Sequence, residues 1–162
     1  MIDILDNTKK KRIIERISYL GIEKIPYLLL KTGRETIRAY SGSLTKQDIS
    51  FLAPLLTIEG IGLYFGKETD DGVRLSLDAL QLLRGQITKN KVILTADQEE
   101  RWFKGENIEL SEEQTKEYQD MKAFVCVFSS DKNQDILGTG KISNNKKLVS
   151  NFLPKERRIR TT

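Results

Sequence analysis

The chain has 162 residues, of which 38% are hydrophobic and 31% charged, with a formal net charge of +4; this composition suits one modest core or two small ones and is too polar for a membrane-embedded protein. It contains no histidine and one cysteine, which excludes a catalytic histidine and an internal disulfide and leaves too few ligands for a structural zinc site. No apolar run approaches the roughly 18 residues of a membrane span, and the first residues lack a secretory signal pattern, so we expect a cytoplasmic protein.

The first patterned segments predict a helix followed by a hairpin. Isoleucines and a leucine recur at helical spacing in residues 8–21, which predicts an amphipathic helix that Thr8 caps and Gly21 ends. Residues 27–40 carry β-branched and aromatic residues on both sides of a turn at 32–33. We therefore expect two antiparallel strands there.

The next segments predict a second helix, a second hairpin and a third helix. Residues 43–56 place apolar residues at helical intervals, and Thr45 and Asp48 can form a capping box. Residues 60–77 indicate two strands joined by an Asp-Asp-Gly turn, and residues 76–85 indicate a short helix that Ser76 caps and Gly85 ends. The apolar positions of the second helix are Leu44, Ile49, Leu52 and Leu55.

A boundary is expected near residues 84–90, after which the sequence becomes mostly β. Short apolar segments separated by turns, with one small helix at 96–105, predict a barrel-like sheet. The first part mixes strands and helices without regular βαβ spacing. We therefore predict an α+β fold with two domains, a small α/β domain at 1–86 and a mostly β domain at 90–162.

Charge is distributed unevenly over the second half. Residues 141–162 contain seven basic residues and one acidic residue, whereas residues 97–120 contain nine acidic and three basic residues. This asymmetry would attract a polyanion to one surface and repel it from another, although charge runs are also common on ordinary solvated faces. If the last residues form a final strand, alternation places Arg158 and Arg160 on one face and Ile159 on the other.

Motifs that would indicate an enzyme are incomplete. The Gly-Thr-Gly-Lys segment at 138–141 lacks the other features of a phosphate-binding loop, and residues 60–66 lack the third glycine of a dinucleotide fingerprint. Cys126 lies in an apolar run that predicts core packing. Trp102 and Phe103 at a helix end are more typical of a core than of a base-stacking surface. We predict a protein without catalytic activity, cofactor or metal.

Several short segments stand in a characteristic order along the chain. They are Phe65-Gly66-Lys67 before a turn, Arg74-Leu75 leading into Ala79-Leu80, and an aromatic residue followed by Gly105 and then Ile108. Their order and spacing resemble the Nip-seven family of ribosome-assembly factors over nearly the whole chain. In that family a small α/β domain precedes a PUA domain, which is an RNA-binding pseudo-barrel.

The resemblance implies an RNA-binding surface formed by the small helix, the turn at Lys104 and Gly105, and the last strand. Lysine and arginine neutralise backbone phosphates, and the planar guanidinium also stacks on bases. Gly105 would permit a close approach of RNA or would simply end the helix. PUA domains usually carry a second glycine a few residues after Ile108, where this chain has Glu112. The predicted RNA-binding residues are Arg101, Lys104, Gly105, Lys146, Lys147, Lys155, Arg157, Arg158 and Arg160.

From the resemblance we expect a monomeric, non-catalytic RNA-binding protein that acts on pre-rRNA in large-subunit assembly, together with other ribosome-assembly proteins. The α/β half would be the protein-docking module. Two alternatives remain open. One is a stand-alone relative of the PUA part of Sun-type RNA cytosine methyltransferases, which would serve RNA modification. The other is a pure protein adaptor without appreciable RNA affinity.

Overall fold

The computed structural model describes residues 2–55 and 60–160, and its fold is mixed α+β with a sheet curled into a half-barrel. The predicted α+β class is therefore confirmed. The helices are α1 (Asn7–Ile17), α2 (Lys46–Leu52), α3 (Leu77–Leu82), α4 (Ala96–Phe103) and α5 (Glu112–Glu117). The strands are β1 (Ile2–Ile4), β2 (Leu28–Thr32), β3 (Thr36–Tyr40), β4 (Leu63–Thr69), β5 (Gly72–Leu75), β6 (Lys91–Ile93), β7 (Ile108–Glu109), β8 (Phe124–Phe128), β9 (Ile136–Ile142) and β10 (Leu148–Asn151).

The first sheet is an antiparallel meander in which β1 to β5 follow one another in chain order. Both predicted hairpins are confirmed, because Thr32 pairs with Thr36 across the first turn and Thr69 pairs with Gly72 across the second. The strand β1 was not predicted. Three residues are too few to display the period-2 alternation that identifies a half-buried strand.

The second sheet has the order β6-β8-β9-β10-β7. The pair β6 and β8 is parallel, and the other neighbours are antiparallel. A parallel pair needs a long crossover connection, and here that connection contains α4, β7 and α5. The crossover thereby places α4 beside the end of β10, where the basic carboxyl-terminal segment begins.

Side-chain caps determine where the helices begin. The predicted capping box is present, since the Asp48 N–H donates to Thr45 Oγ1 at 3.1 Å and the Thr45 N–H donates to the Asp48 carboxylate at 2.7 Å. The cap predicted for the first helix was wrong. Asp6 and not Thr8 accepts the Lys9 N–H, at 2.8 Å. The Asp6 carboxylate stands directly before the helix, where it can accept a free N–H group of the first turn.

The helix α5 occupies the segment in which Glu112 replaces the expected second glycine. Ser111 and Gln114 form a capping box, with each side chain accepting a backbone N–H of the other. The Gln114 side chain also donates to the Ile93 carbonyl at 3.1 Å. Glu112 is the first residue of α5 and does not have the positive φ that favours glycine. The local structure here therefore does not require the second glycine that PUA domains usually carry.

The predicted second helix is present as α2, but the apolar residues named for it differ in burial. Ile49 is fully buried, but Leu44 and Leu55 are exposed, and Phe51 is 71% exposed. Helical spacing correctly predicted a helix but not what packs against it. Leu56, the last residue of the predicted segment, lies outside the described residues.

The two sheets share an apolar core. Cys126, Phe128 and Ile136 of the second sheet pack into the cluster that α1, α3 and the first sheet form. A buried hydrogen bond also joins the sheets, from Thr139 Oγ1 to the Leu75 carbonyl at 2.6 Å. The expected division of the chain falls between α3 and β6, and as a domain boundary it stays a prediction.

Trp102 fills a second core, inside the second sheet. Its indole is fully buried and donates from Nε1 to the Leu137 carbonyl at 3.0 Å. A Cβ atom on Gly138 would lie 3.5 Å from Trp102 Cζ2, and one on Gly140 would lie 3.4 Å from Cη2. These are ordinary van der Waals distances, so the two glycines lie directly beside the indole within β9. The full burial of the indole confirms that Trp102 is a core residue.

We expect Cys126 to resist alkylation in the folded protein. The side chain is fully buried, and burial raises the pKa of its thiol to about 12. Because the thiolate is the reactive species, iodoacetamide at about pH 8 should leave the folded chain unmodified and label it completely in guanidinium chloride. Mass spectrometry would measure the labelling. Rapid modification of the folded chain would contradict the buried position.

Candidate nucleic-acid interface

A cleft of about 380 Å³ opens between the two sheets. One wall comes from β4, β5 and the start of α3, and the other from β9, β10 and residues 152–158. Its volume is within the roughly 300–1,000 Å³ of typical small-ligand pockets. The chemically distinctive side chains that line it are Tyr64, Arg74, Asp78, Phe152, Lys155 and Arg158.

The chain after β10 does not continue as the predicted final strand. Residues Lys155–Arg157 form a 3₁₀ turn, which the Arg157 N–H closes by donating to the Pro154 carbonyl at 2.9 Å. Beyond the turn the Ile159 N–H donates to the Phe103 carbonyl at 2.8 Å, while the Ile159 side chain is 60% exposed. The predicted alternation was therefore wrong, and the turn directs the basic residues toward different neighbours.

Arg158 is held at the edge of the cleft. Its Nε donates to the Leu153 carbonyl at 2.9 Å. A Cβ atom on Gly105 would lie 2.7 Å from Cδ, Nε and Nη1 of Arg158, so the arginine side chain lies directly over the glycine. Gly105 has φ +87° and donates to the Trp102 carbonyl, which ends α4. The group that lies close to Gly105 is therefore the side chain of Arg158.

Arg74 was not predicted as a site residue. It lies on β5, and its guanidinium carbon is 4.6 Å from the ring centroid of Phe152. The Phe152 ring packs edge-on against Phe124, with 6.1 Å between the centroids. A guanidinium stacked on an aromatic ring is restricted in position but keeps its N–H donors. No local sequence pattern indicates this contact, because it joins β5 to the segment after β10, far away in the chain.

Arg157 pairs with an acid of the cleft. Its Nη2 lies 3.1 Å from Asp78 Oδ1, across the gap between the basic segment and α3. Asp78 is the single carboxylate among the described residues that line the cleft. The pair leaves Arg74, Lys155 and Arg158 as cations, and within 2–55 and 60–160 none of these three forms an ion pair. The cleft therefore carries a net positive charge.

Arg101 and Lys104 lie on the outer side of α4 and are both paired with acids. Arg101 Nε is 2.7 Å from Glu106 Oε2, and Lys104 Nζ is 2.7 Å from Glu100 Oε1. These hydrogen bonds raise the pKa of both basic groups. Ion pairs as exposed as these are weak and are screened by salt, so an incoming phosphate can compete for either cation.

The remaining predicted residues lie away from the cleft. Lys146 and Lys147 belong to the turn before β10, at the opposite end of that strand from the cleft. Lys146 donates from Nζ to the Met121 carbonyl at 2.6 Å, whereas the Lys147 side chain is exposed. Arg160 is exposed at the end of the described chain. The structure thus brings together Gly105, Lys155 and Arg158 of the predicted set, with Arg157 beside them.

Gly105→Ala is expected to lower stability and to displace Arg158. A left-handed backbone costs an alanine about 1–2 kcal/mol, and the added Cβ would force the Arg158 side chain to move. Urea denaturation would measure the first effect, and the NMR signals of the Arg158 guanidinium the second. Gly85→Ala is the matched control, since its φ is not positive and nothing lies within 4 Å of an added Cβ. Equal stability of the two variants would contradict the prediction.

The described residues offer neither a metal site nor a membrane-spanning helix. No group of three or more potential metal ligands occurs among them. No helix in the described part of the chain is long and apolar enough to cross a membrane. The sequence matches neither a known family model nor any curated protein.

Proposed function

We propose that this chain is a non-catalytic RNA-binding protein that uses the cleft between its sheets and the basic residues around it. The observation that supports this most is the convergence of Arg74, Lys155 and Arg158 on one cleft, without a carboxylate of the described chain paired to any of them. Lysine and arginine are the residues that neutralise a phosphate backbone. Arginine adds a planar fork that binds phosphate and stacks on bases.

The acidic segment would orient such a ligand. Seven acids of residues 97–120 form no ion pair among the described residues and lie outside the lining of the cleft, whereas the unpaired cations line it; these acids are Asp97, Glu99, Glu109, Glu112, Glu113, Glu117 and Asp120. A polyanion approaching the acidic side is repelled, and one approaching the cleft is attracted. The two signs of charge would therefore fix the direction in which RNA crosses the protein.

The proposal extends to ribosome assembly, as an α/β domain and a PUA pseudo-barrel that bind pre-rRNA beside other assembly proteins. The segments that carry the resemblance support it. Arg74-Leu75 forms a wall of the cleft, and Gly105 contacts Arg158 at its edge. The resemblance and the positive charge of the cleft share some of these residues, and both support RNA as the ligand.

Crosslinking of RNA to the protein in cells, followed by sequencing of the RNA, tests the proposal. We expect crosslinks on ribosomal precursors, which Lys155→Ala/Arg158→Ala should strongly reduce. Lys11→Ala/Lys132→Ala is the matched control, because it removes two exposed basic residues that lie outside the lining of the cleft. Crosslinks centred on tRNA would favour the RNA-modification alternative, and an absence of crosslinks would contradict RNA binding.

A pure protein adaptor is the second candidate, and exposed apolar residues in α2 and in the turn after it favour it. Phe51 is 71% and Leu55 64% exposed, and adjacent exposed apolar side chains of this size are typical of protein contacts. This candidate predicts no RNA affinity at low salt and no effect of Lys155→Ala/Arg158→Ala in cells. Phe51→Ser would instead abolish binding of the partner protein.

A further inference from the structure

We propose that the cleft accepts one unstacked nucleotide, with its phosphate on Lys155 and Arg158 and its base beside Tyr64 and Arg74. This inference rests on the proposed function and adds to it the place and the chemical class of the bound group. It is argued from the size of the cleft, the position of its charges, and the side chains that remain free to contact a ligand.

The size of the cleft suits a single nucleotide. A volume of about 380 Å³ is at the lower end of small-ligand pockets. Stacked and paired bases of a duplex cannot enter a pocket of this size. RNA-binding proteins commonly read bases that are splayed out of the stack and laid on aromatic rings or guanidinium planes. The size of the cleft therefore suits one unstacked base.

The phosphate end is defined by Lys155 and Arg158. Lys155 is exposed on the 3₁₀ turn, and its ammonium group has no ion-pair partner among the described residues. Arg158 uses Nε to bind the Leu153 carbonyl, which fixes the side chain and leaves its terminal N–H groups for an anion. Asp78 would repel a phosphate, but Arg157 neutralises it at 3.1 Å.

The base end is defined by Tyr64 and Arg74. Tyr64 is 39% exposed where it lines the cleft, so part of its surface is open to a ligand. Arg74 is positioned by its contact with the Phe152 ring. A base in contact with both would gain stacking and cation–π attraction.

The other polar side chains of the cleft are already bonded within the protein. Ser76 Oγ donates to the Tyr64 carbonyl at 2.7 Å, and Thr139 Oγ1 donates to the Leu75 carbonyl at 2.6 Å. The Asn151 amide donates to two backbone carbonyls beside α4. Few donors and acceptors remain to distinguish one base from another, so the site should tolerate all four bases.

A titration of the full chain with small probes tests the inference. The probes are the four nucleoside 5′-monophosphates, ribose 5-phosphate and inorganic phosphate, and the readout is the set of backbone amide NMR signals. All four nucleotides should shift the amides of Tyr64, Arg74, Lys155 and Arg158 with similar affinities. Ribose 5-phosphate should bind about fivefold more weakly, the low end of a base–aromatic stack, and inorganic phosphate more weakly still.

Variants separate the two ends of the site. Lys155→Ala should weaken every probe, whereas Tyr64→Ala should abolish the difference between adenosine monophosphate and ribose 5-phosphate. Lys132→Ala is the matched control and should change nothing. Shifts confined to residues outside the cleft, or inorganic phosphate binding as tightly as the nucleotides, would overturn the inference.

The nucleotide titration and the RNA crosslinking test the inference and the proposed function separately. RNA crosslinks without nucleotide binding in the cleft would overturn this inference and leave RNA binding supported. Nucleotide binding in the cleft without any RNA crosslinks would overturn the proposed function and support the cleft as a site for free nucleotides.

Discussion

Replacing Lys155 and Arg158 together with alanine is expected to lower the affinity for single-stranded RNA about fifteenfold at physiological salt. Each phosphate neutralised on a single strand contributes about −0.7 to the slope of log affinity against log salt. Losing two contacts should reduce the magnitude of that slope by about 1.4. Because counterion release vanishes near 1 M salt, the variant and the parent should converge there.

Fluorescence anisotropy of a labelled single-stranded RNA at several potassium chloride concentrations would measure this effect. The Lys11→Ala/Lys132→Ala control removes the same formal charge outside the cleft and should keep nearly the parental slope. An unchanged slope for the cleft variant, or an equal loss in the control, would show that binding depends on net charge and not on the site.

Trp102→Ala is expected to lower the free energy of unfolding by about 3–5 kcal/mol, the usual range for removing a buried indole. The substitution leaves a cavity against Gly138 and Gly140 and removes the hydrogen-bond donor to the Leu137 carbonyl. Urea denaturation followed by circular dichroism would measure it, since Trp102 is the only tryptophan and its fluorescence is lost with it.

Two further variants control for the tryptophan result. Trp102→Phe keeps an aromatic ring but not the Nε1–H donor, so its loss should be smaller than that of the alanine variant. Phe51→Ala removes an aromatic ring that is 71% exposed, and its effect should stay within about 0.5 kcal/mol. A similar small loss for Trp102→Ala would contradict its place in the core.

Local chemistry explains which parts of the fold the sequence predicts. The two hairpins and the caps at Thr45 and Ser76 depend on neighbouring residues, and each is present. The connections are residues 33–35 and 70–71, so the first turn begins one residue later than predicted. The same reasoning placed the wrong residue at the first helix start, because Asp6 and Thr8 are both competent caps. Capping preference alone therefore cannot show which of the two residues precedes the helix.

Long-range contacts explain what could not be predicted. The contact of Arg74 with Phe152 and the pair of Arg157 with Asp78 join residues that are far apart in the chain. The sequence gives the number of basic residues in the carboxyl-terminal segment. Only the fold determines which of them form ion pairs with acids of the same chain. For the same reason the exposed face of α2 could not be distinguished from a buried one.

The hydrogen bond from Thr139 to Leu75 and the apolar side chains shared between the sheets have a consequence for binding kinetics. They tie the opposite walls of the cleft together, so we expect a ligand to enter the proposed site without a hinge motion. A preorganised site of this kind loses little conformational entropy when it is occupied. Association should then be governed by diffusion and charge and not by a slow closing step.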